Sequence, residues 1–118
     1  MPQYGAQIVI PANTAISATK ISEIAVTDPL LMRYEIYSHG EASRLAGVRL
    51  KNAGTPFAPQ PGSPIGDWFL LDGQAVIGNY IRGFELKGPH TSAIVEAFNS
   101  DLSYYHVVTV IIYCEAKA

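Results

Sequence analysis

The segment LMRYEIYS, residues 31–38, carries the pattern that decides the fold of this chain. Its apolar residues Tyr34 and Ile36 alternate with the charged residues Arg33 and Glu35. Residues two apart in an extended strand share a face, so the apolar and the charged side chains fall on opposite faces. The segment therefore predicts a strand with one face toward a core and the other face toward water or a partner.

Similar runs of β-branched and aromatic residues extend from this segment in both directions, separated by Gly, Pro, Asn and Asp. No stretch shows the 3.6-residue period of a helix. Tight turns are predicted at Asp72-Gly73 and Gly78-Asn79. The strands are predicted at residues 4–10, 16–26, 31–38, 46–52, 67–71, 74–77, 80–86, 92–99 and 105–114. Eight to nine strands at this spacing indicate an all-β fold, an antiparallel two-sheet β-sandwich that is jelly-roll-like.

The length of 118 residues predicts a single β-sandwich domain over residues 1–118. Four prolines fall between residues 54 and 66, which predicts a stiff Pro-rich loop without regular pairing over residues 53–66. Residues 1–5 are small and uncharged, and we hypothesise that they form an extended N-terminal arm. Such an arm would add a strand to a neighbouring subunit's sheet.

The composition restricts the partners of the chain. Charged residues make up 15% of the sequence and hydrophobic residues 48%, whereas about a quarter is charged in an average protein. We therefore expect a partner to bury part of the outer surface. The basic residues are scattered and the net charge is −2, which argues against nucleic-acid binding. No secretory leader pattern and no apolar run of membrane-spanning length is seen, so we expect a soluble protein made in a cytosol.

The sequence offers little for catalysis or for metal binding. His39, His90 and His106 do not stand at spacings typical of metal ligands, and a cupin-like enzyme needs several converging histidines. Asp67 and Asp72 flank a tryptophan-containing strand, as a glycosidase pair or a calcium site would, but no further carboxylates cluster near them. We predict a non-enzymatic protein with no catalytic residue, no cofactor and no metal.

The single cysteine, Cys114, has no neighbouring basic residue that would activate it as a nucleophile. It is interpreted as a buried or edge thiol. It lies in the run 105–114, which is apolar on both faces and therefore predicts a central strand or a strand that faces a subunit partner. Tyr113 of this run is included among the predicted contact residues.

Aromatic residues near the Pro-rich loop form the candidate contact site. Trp68, Phe57, Phe69, Tyr104 and Tyr105 would form a platform for sugar stacking or a contact patch for a protein. The alternative is that they are loop residues that pack on the end of the sandwich.

Four short segments carry a resemblance to a known class of protein: IPANT at residues 10–14, GVRL at 47–50, GDWF at 66–69 and IVEAFN at 94–99. Followed by a closing Val-Ile strand, they resemble small β-sandwich virion structural proteins of tailed bacteriophages and related viruses, of the decoration or cement type. The resemblance covers most of the chain at the level of pattern, and no family-defining functional residue is carried over.

The resemblance implies a virion protein assembled in the host cytoplasm. It would decorate or cement a capsid, or form a spike base, as a trimer or another symmetric homo-oligomer bound to a major capsid or other virion protein. The alternative function is a carbohydrate-binding or receptor-binding module that uses the aromatic platform around Trp68.

Overall fold

A computed structural model describes residues 3–15, 20–39, 45–52, 55–58, 68–87 and 92–116 of the chain. These residues form strands and turns, and none of them is helical. Within these ranges, no helix has the length and apolar character that crossing a membrane requires. The strands are β1 (Gln3–Ile10), β2 (Lys20–Ala25), β3 (Leu30–His39), β4 (Ala46–Asn52), β5 (Thr55–Ala58), β6 (Phe69–Leu70), β7 (Ala75–Glu85), β8 (Ser92–Asn99) and β9 (His106–Glu115).

The strands form two antiparallel sheets packed face to face. The first sheet has the order β1-β9-β3-β7, and the second has the order β2-β8-β4-β5, with β6 also paired to β4. β8 pairs with one edge of β4. β5 and β6 both pair with the opposite edge of β4, each along a different part of its length. Taken as one position, they complete the eight-strand order of a jelly roll. The predicted antiparallel β-sandwich of jelly-roll type is confirmed.

The core lies between the two sheets and follows the predicted alternation. Tyr34 and Ile36 of β3 point inward and are buried, as are Val48 and Leu50 of β4. From the central strand β9, the inward-facing residues Val108, Val110, Ile112 and Cys114 are also fully buried. The central position of β9, between β1 and β3, confirms one of the two positions predicted for it.

The turn predicted at Gly78-Asn79 is wrong, because β7 passes through these residues without a break. Gly78 pairs with Tyr34, and a Cβ at Gly78 would lie only 2.3 Å from the ring of Tyr34. The glycine is therefore required by a close side-chain approach inside a strand. The regular pairing of β3 with β7 is interrupted further along β7. Leu31 pairs with Phe84 and Arg33 pairs with Asn79, so residues 80–83 of β7 form a bulge opposite a single residue of β3.

The Pro-rich loop predicted over residues 53–66 is wrong for residues 55–58, which form β5. Pro56 pairs with Lys51 at the edge of the second sheet, where a missing backbone N–H does not interrupt a ladder. Residues 53, 54 and 59–66 lie outside the described residues. The strand predicted at 67–71 is reduced to β6, and the described part of the strand predicted at 16–26 begins at Lys20.

The N-terminal arm predicted over residues 1–5 is wrong for residues 3–5. Gln3 pairs with Tyr113 and Gly5 pairs with Ile111, so this segment belongs to β1 in the sheet of its own chain. Residues 1 and 2 lie outside the described residues.

Candidate functional site

The structure separates the aromatic residues that the sequence places in one contact site. Phe57 and Phe69 are buried in the core, and the Phe57 ring stacks on Phe84 with 5.2 Å between ring centroids. Neither side chain is able to reach a partner, so their assignment as contact residues is wrong. Their burial follows from inward positions on β5 and β6, which local sequence does not reveal.

Trp68 packs on the outer face of the second sheet. Its ring meets the edge of Phe98 at a centroid distance of 5.0 Å, and the guanidinium of Arg49 lies 4.3 Å from its centroid. Glu96, itself buried, holds Arg49 at 2.7 Å and Lys51 at 3.3 Å. One face of the indole is therefore covered by a fixed cation, which leaves less of the ring for stacking on a sugar.

The turn between β8 and β9 exposes the remaining predicted aromatics. Leu102, Tyr104 and Tyr105 are 77%, 70% and 65% exposed, although side chains of this size favour burial. Leu45 is also exposed and lies beside the turn, because the Ser100 N–H donates to the Leu45 carbonyl. We call these four residues, Leu45, Leu102, Tyr104 and Tyr105, the end patch.

A buried asparagine fixes the backbone beneath the end patch. The Asn99 amide nitrogen donates to the carbonyls of Ile10 and Tyr104, at 3.3 and 2.9 Å, and its oxygen accepts from the Asp101 N–H at 2.9 Å. The Asp101 carboxylate in turn accepts from the N–H groups of Ser103 and Tyr104. These bonds hold the backbone of the turn, so the backbone that carries the end patch is preorganised.

Asp101 also binds His106, with 3.1 Å between Oδ2 and Nε2. The backbone N–H of Ser103 is the largest cause that holds the pKa of the Asp101 carboxyl below its usual range, and Tyr104 and His106 add to it. These bonds keep the carboxylate charged and directed at its own turn. The residues Asn99-Ser100-Asp101 are a local signal for this turn, since Asx side chains bond to backbone two residues on, but no local pattern indicates the bond to Ile10.

The predicted contact residue Tyr113 lies on the outer face of the first sheet, in a polar network around Glu35. The Glu35 carboxylate accepts from Tyr37 Oη at 2.7 Å, from Tyr113 Oη at 3.3 Å and from Arg33 Nε at 2.8 Å. The Tyr37 bond is the largest cause that lowers the pKa of Glu35, and the same bond raises the pKa of Tyr37. The Tyr113 hydroxyl therefore bonds within its own sheet, and no local pattern in the sequence indicates this network.

No family model, curated protein or solved structure matches this chain. The chemistry of the chain is therefore inferred from the side chains that the structure describes. His106 is paired with Asp101 and His39 bonds to the Thr109 hydroxyl, while His90 and Asp67 lie outside the described residues. Across the described ranges, no three His, Cys, Asp or Glu side chains come together in a way that would hold a metal ion.

Cys114 is fully buried, which confirms the interpretation as a buried thiol. Burial is the main cause that raises the pKa of this thiol to about 11, and the charge of Asp28 adds to it. At pH 8 the folded chain therefore holds very little thiolate. We expect iodoacetamide to label Cys114 about a hundredfold more slowly in the folded chain than in guanidinium, because the thiolate is the reacting form.

Mass spectrometry over a labelling time course measures this rate without ambiguity, since the chain has one cysteine. Rapid labelling under native conditions would contradict the burial of Cys114.

Proposed function

We propose that this chain is a non-enzymatic virion structural protein, a capsid decoration, cement or spike-base subunit that acts through protein–protein contacts. The observation that carries the proposal is the end patch, in which Leu102, Tyr104 and Tyr105 stand exposed on a hydrogen-bonded turn and Leu45 is exposed beside it. The jelly roll is compatible with this function but is shared with lectins and cupins, so the patch is the stronger support.

The composition of the end patch suits a protein interface. Tyrosine is enriched in interfaces because its ring contributes a large apolar area together with a hydroxyl at the tip. Residues 102–105 contain no charged side chain, and the adjacent Asp101 is directed toward Ser103, Tyr104 and His106. A partner would therefore cover apolar and aromatic area without removing an unpaired charge from water.

The rigidity of the turn lowers the entropic penalty of binding. An interface loop that orders only on contact loses conformational freedom at that moment, and affinity falls accordingly. Here Asn99 and Asp101 already hold the backbone of Tyr104 from both sides, through its carbonyl and its N–H. Only side-chain rotamers remain to be fixed by a partner.

The test is co-sedimentation of the purified chain with the particle fraction from its source. We expect the double variant Tyr104→Ser/Tyr105→Ser to lose at least about tenfold in affinity for particles, because tyrosine is enriched among the interface residues whose truncation costs about 2 kcal/mol or more. Its melting temperature should stay close to that of the wild type, since both side chains are exposed and the backbone bonds of Tyr104 remain.

Val9→Ser is the matched control, since Val9 is an exposed apolar residue on β1, outside the end patch. It should co-sediment like the wild type. The proposal would be overturned if the wild-type chain did not co-sediment with particles. It would also be overturned if the double variant bound particles with wild-type affinity.

Glycan binding is the competing outcome of the same experiment. A carbohydrate-binding module would stack the sugar on the aromatic platform around Trp68. Phe57 and Phe69 of that platform are buried in the core, and Arg49 covers one face of the Trp68 ring. Saturable glycan binding that Trp68→Ala abolishes, in a chain that does not bind particles, would favour the carbohydrate-binding module instead.

A further inference from the structure

A buried carboxylate lies on the outer face of the second sheet. Glu96 is on β8, which runs between β2 and β4, and it pairs in register with Arg49. Its neighbours Val95 and Ala97 point into the core, so the Glu96 side chain points away from the core. That side chain is nevertheless only 5% exposed. A charge buried to this extent requires partners, because its removal from water is unfavourable.

Two cations share the Glu96 carboxylate. Arg49 Nε lies 2.7 Å from Oε1, and Lys51 Nζ lies 3.3 Å from Oε2. Arg49 and Lys51 are two positions apart on β4, so both side chains are on the same face of the sheet as Glu96. We call Arg49, Lys51 and Glu96 the charged triad. Two positive charges face one negative charge, so the triad carries one positive charge in excess.

The charged triad holds hydrogen-bond donors that have not been used. Arg49 donates to Glu96 through Nε, and its two Nη groups have no hydrogen-bond partner among the residues that the structure describes. Lys51 contacts Glu96 through an ammonium group that has three donors. The Arg49 and Lys51 side chains are 16% and 24% exposed, so water reaches them only in part. An anion that accepts from both would supply the missing bonds and neutralise the excess charge.

Trp68 fixes the position of the Arg49 donors. The guanidinium carbon lies 4.3 Å from the centroid of the indole ring, and that ring is itself packed edge-on against Phe98. A guanidinium that is stacked on an aromatic ring and bonded to a carboxylate presents its remaining donors in one direction. Cations that are already in place bind an anion without the entropic penalty of ordering long side chains.

We infer that the charged triad is a binding site for a carboxylate, supplied by an acidic side chain of a polypeptide. Arg49 and Lys51 already contact the two oxygens of one carboxylate, that of Glu96, with one donor on each oxygen. Their remaining donors would hold a second carboxylate in a similar way from the solvent side, where a guanidinium matches the planar group.

A polypeptide carboxylate fits this site better than an acidic sugar. A sugar would stack on Trp68, and Arg49 covers one face of that ring. The triad has no residue in common with the end patch, so the inference goes beyond the proposed function and does not depend on binding to particles.

The test is titration of the purified full chain with a triglutamate peptide that is blocked at both ends. The measurement is the NMR signal of the Trp68 indole N–H, which is unique because the chain has one tryptophan. We expect this signal to shift and to saturate with the triglutamate peptide. It should stay in place with a blocked triglutamine peptide, which has the same length and no charge.

Lys51→Gln should weaken this binding at least about threefold, because it removes one of the two cations and surface ion pairs have effects of this size. The variant should fold, since Glu96 keeps its bond to Arg49, and its melting temperature checks this. Arg82→Gln is the matched control. It removes the same charge from an exposed position on β7 and should bind like the wild type.

Three results would overturn the inference. The first is a wild-type chain whose Trp68 signal does not saturate with the triglutamate peptide. The second is equal weakening in Lys51→Gln and Arg82→Gln, which would mean that the peptide responds to the net charge of the chain. The third is saturation by glucuronate but not by the triglutamate peptide, which would assign the site to an acidic sugar.

Discussion

Phe57→Ala is expected to lower the free energy of unfolding by about 3–5 kcal/mol, the range for deleting a buried phenylalanine ring. The Phe57 side chain is 1% exposed, stacks on Phe84, and lies on β5, whose short pairing with β4 leaves little to compensate for a cavity. The Phe57 carbonyl also accepts a bond from the Tyr80 hydroxyl, which ties β5 to β7. The measurement is urea unfolding followed by tryptophan fluorescence.

Tyr104→Ala provides the comparison for this prediction. Its side chain is exposed, so its free energy of unfolding should change by no more than about 0.5 kcal/mol. The two aromatic residues, which the sequence places in one contact site, should therefore separate into a core residue and a surface residue. A Phe57→Ala chain of wild-type stability that fails to bind particles would place Phe57 on the surface instead.

Asn99→Ala is expected to lower the free energy of unfolding by about 3 kcal/mol, because it removes one buried and two part-buried hydrogen bonds to backbone groups. The variant removes the bonds to the carbonyls of Ile10 and Tyr104 and to the N–H of Asp101. It should also weaken particle association, because the turn that carries the end patch loses its anchor. Thermal unfolding and co-sedimentation, run on the same preparation, measure both effects.

Asn52→Ala is the matched control. Asn52 is likewise buried and bonds to the backbone of Lys87 and Ser92, at the end of β4. Its loss should destabilise the chain to a similar extent and leave particle association of the folded fraction unchanged. Equal loss of association in both variants would mean that Asn99 acts through global stability and not through the turn.

The sequence predicted those parts of the fold that depend on side-chain alternation. β3 and β4 were predicted to within a residue or two, since a strand with one buried face must alternate. Predictions failed where one residue type serves two purposes. Gly78 resembles a turn glycine, but its lack of a Cβ accommodates the ring of Tyr34, which lies 44 positions earlier in the sequence.

The candidate site was predicted only in part for a related reason. Aromatic residue type does not distinguish Phe57 from Tyr105, because burial depends on which strand pairs with which. The anchoring role of Asn99 depends on a bond to Ile10, across 89 positions of sequence. Local patterns locate a turn of this kind, whereas its rigidity arises from long-range contacts.

The central position of β9 has a consequence for the order of folding during synthesis. β9 is the last of the nine strands in the described ranges to leave the ribosome, yet β1 and β3 both pair with it. The second sheet requires nothing beyond residue 99, so it is able to assemble while β1 still lacks its partner strand. Nearly a hundred residues must be synthesised after β1 before its partner β9 is available, and closing so long a loop slows folding. Nascent chains of this protein are therefore most prone to aggregation just before β9 emerges.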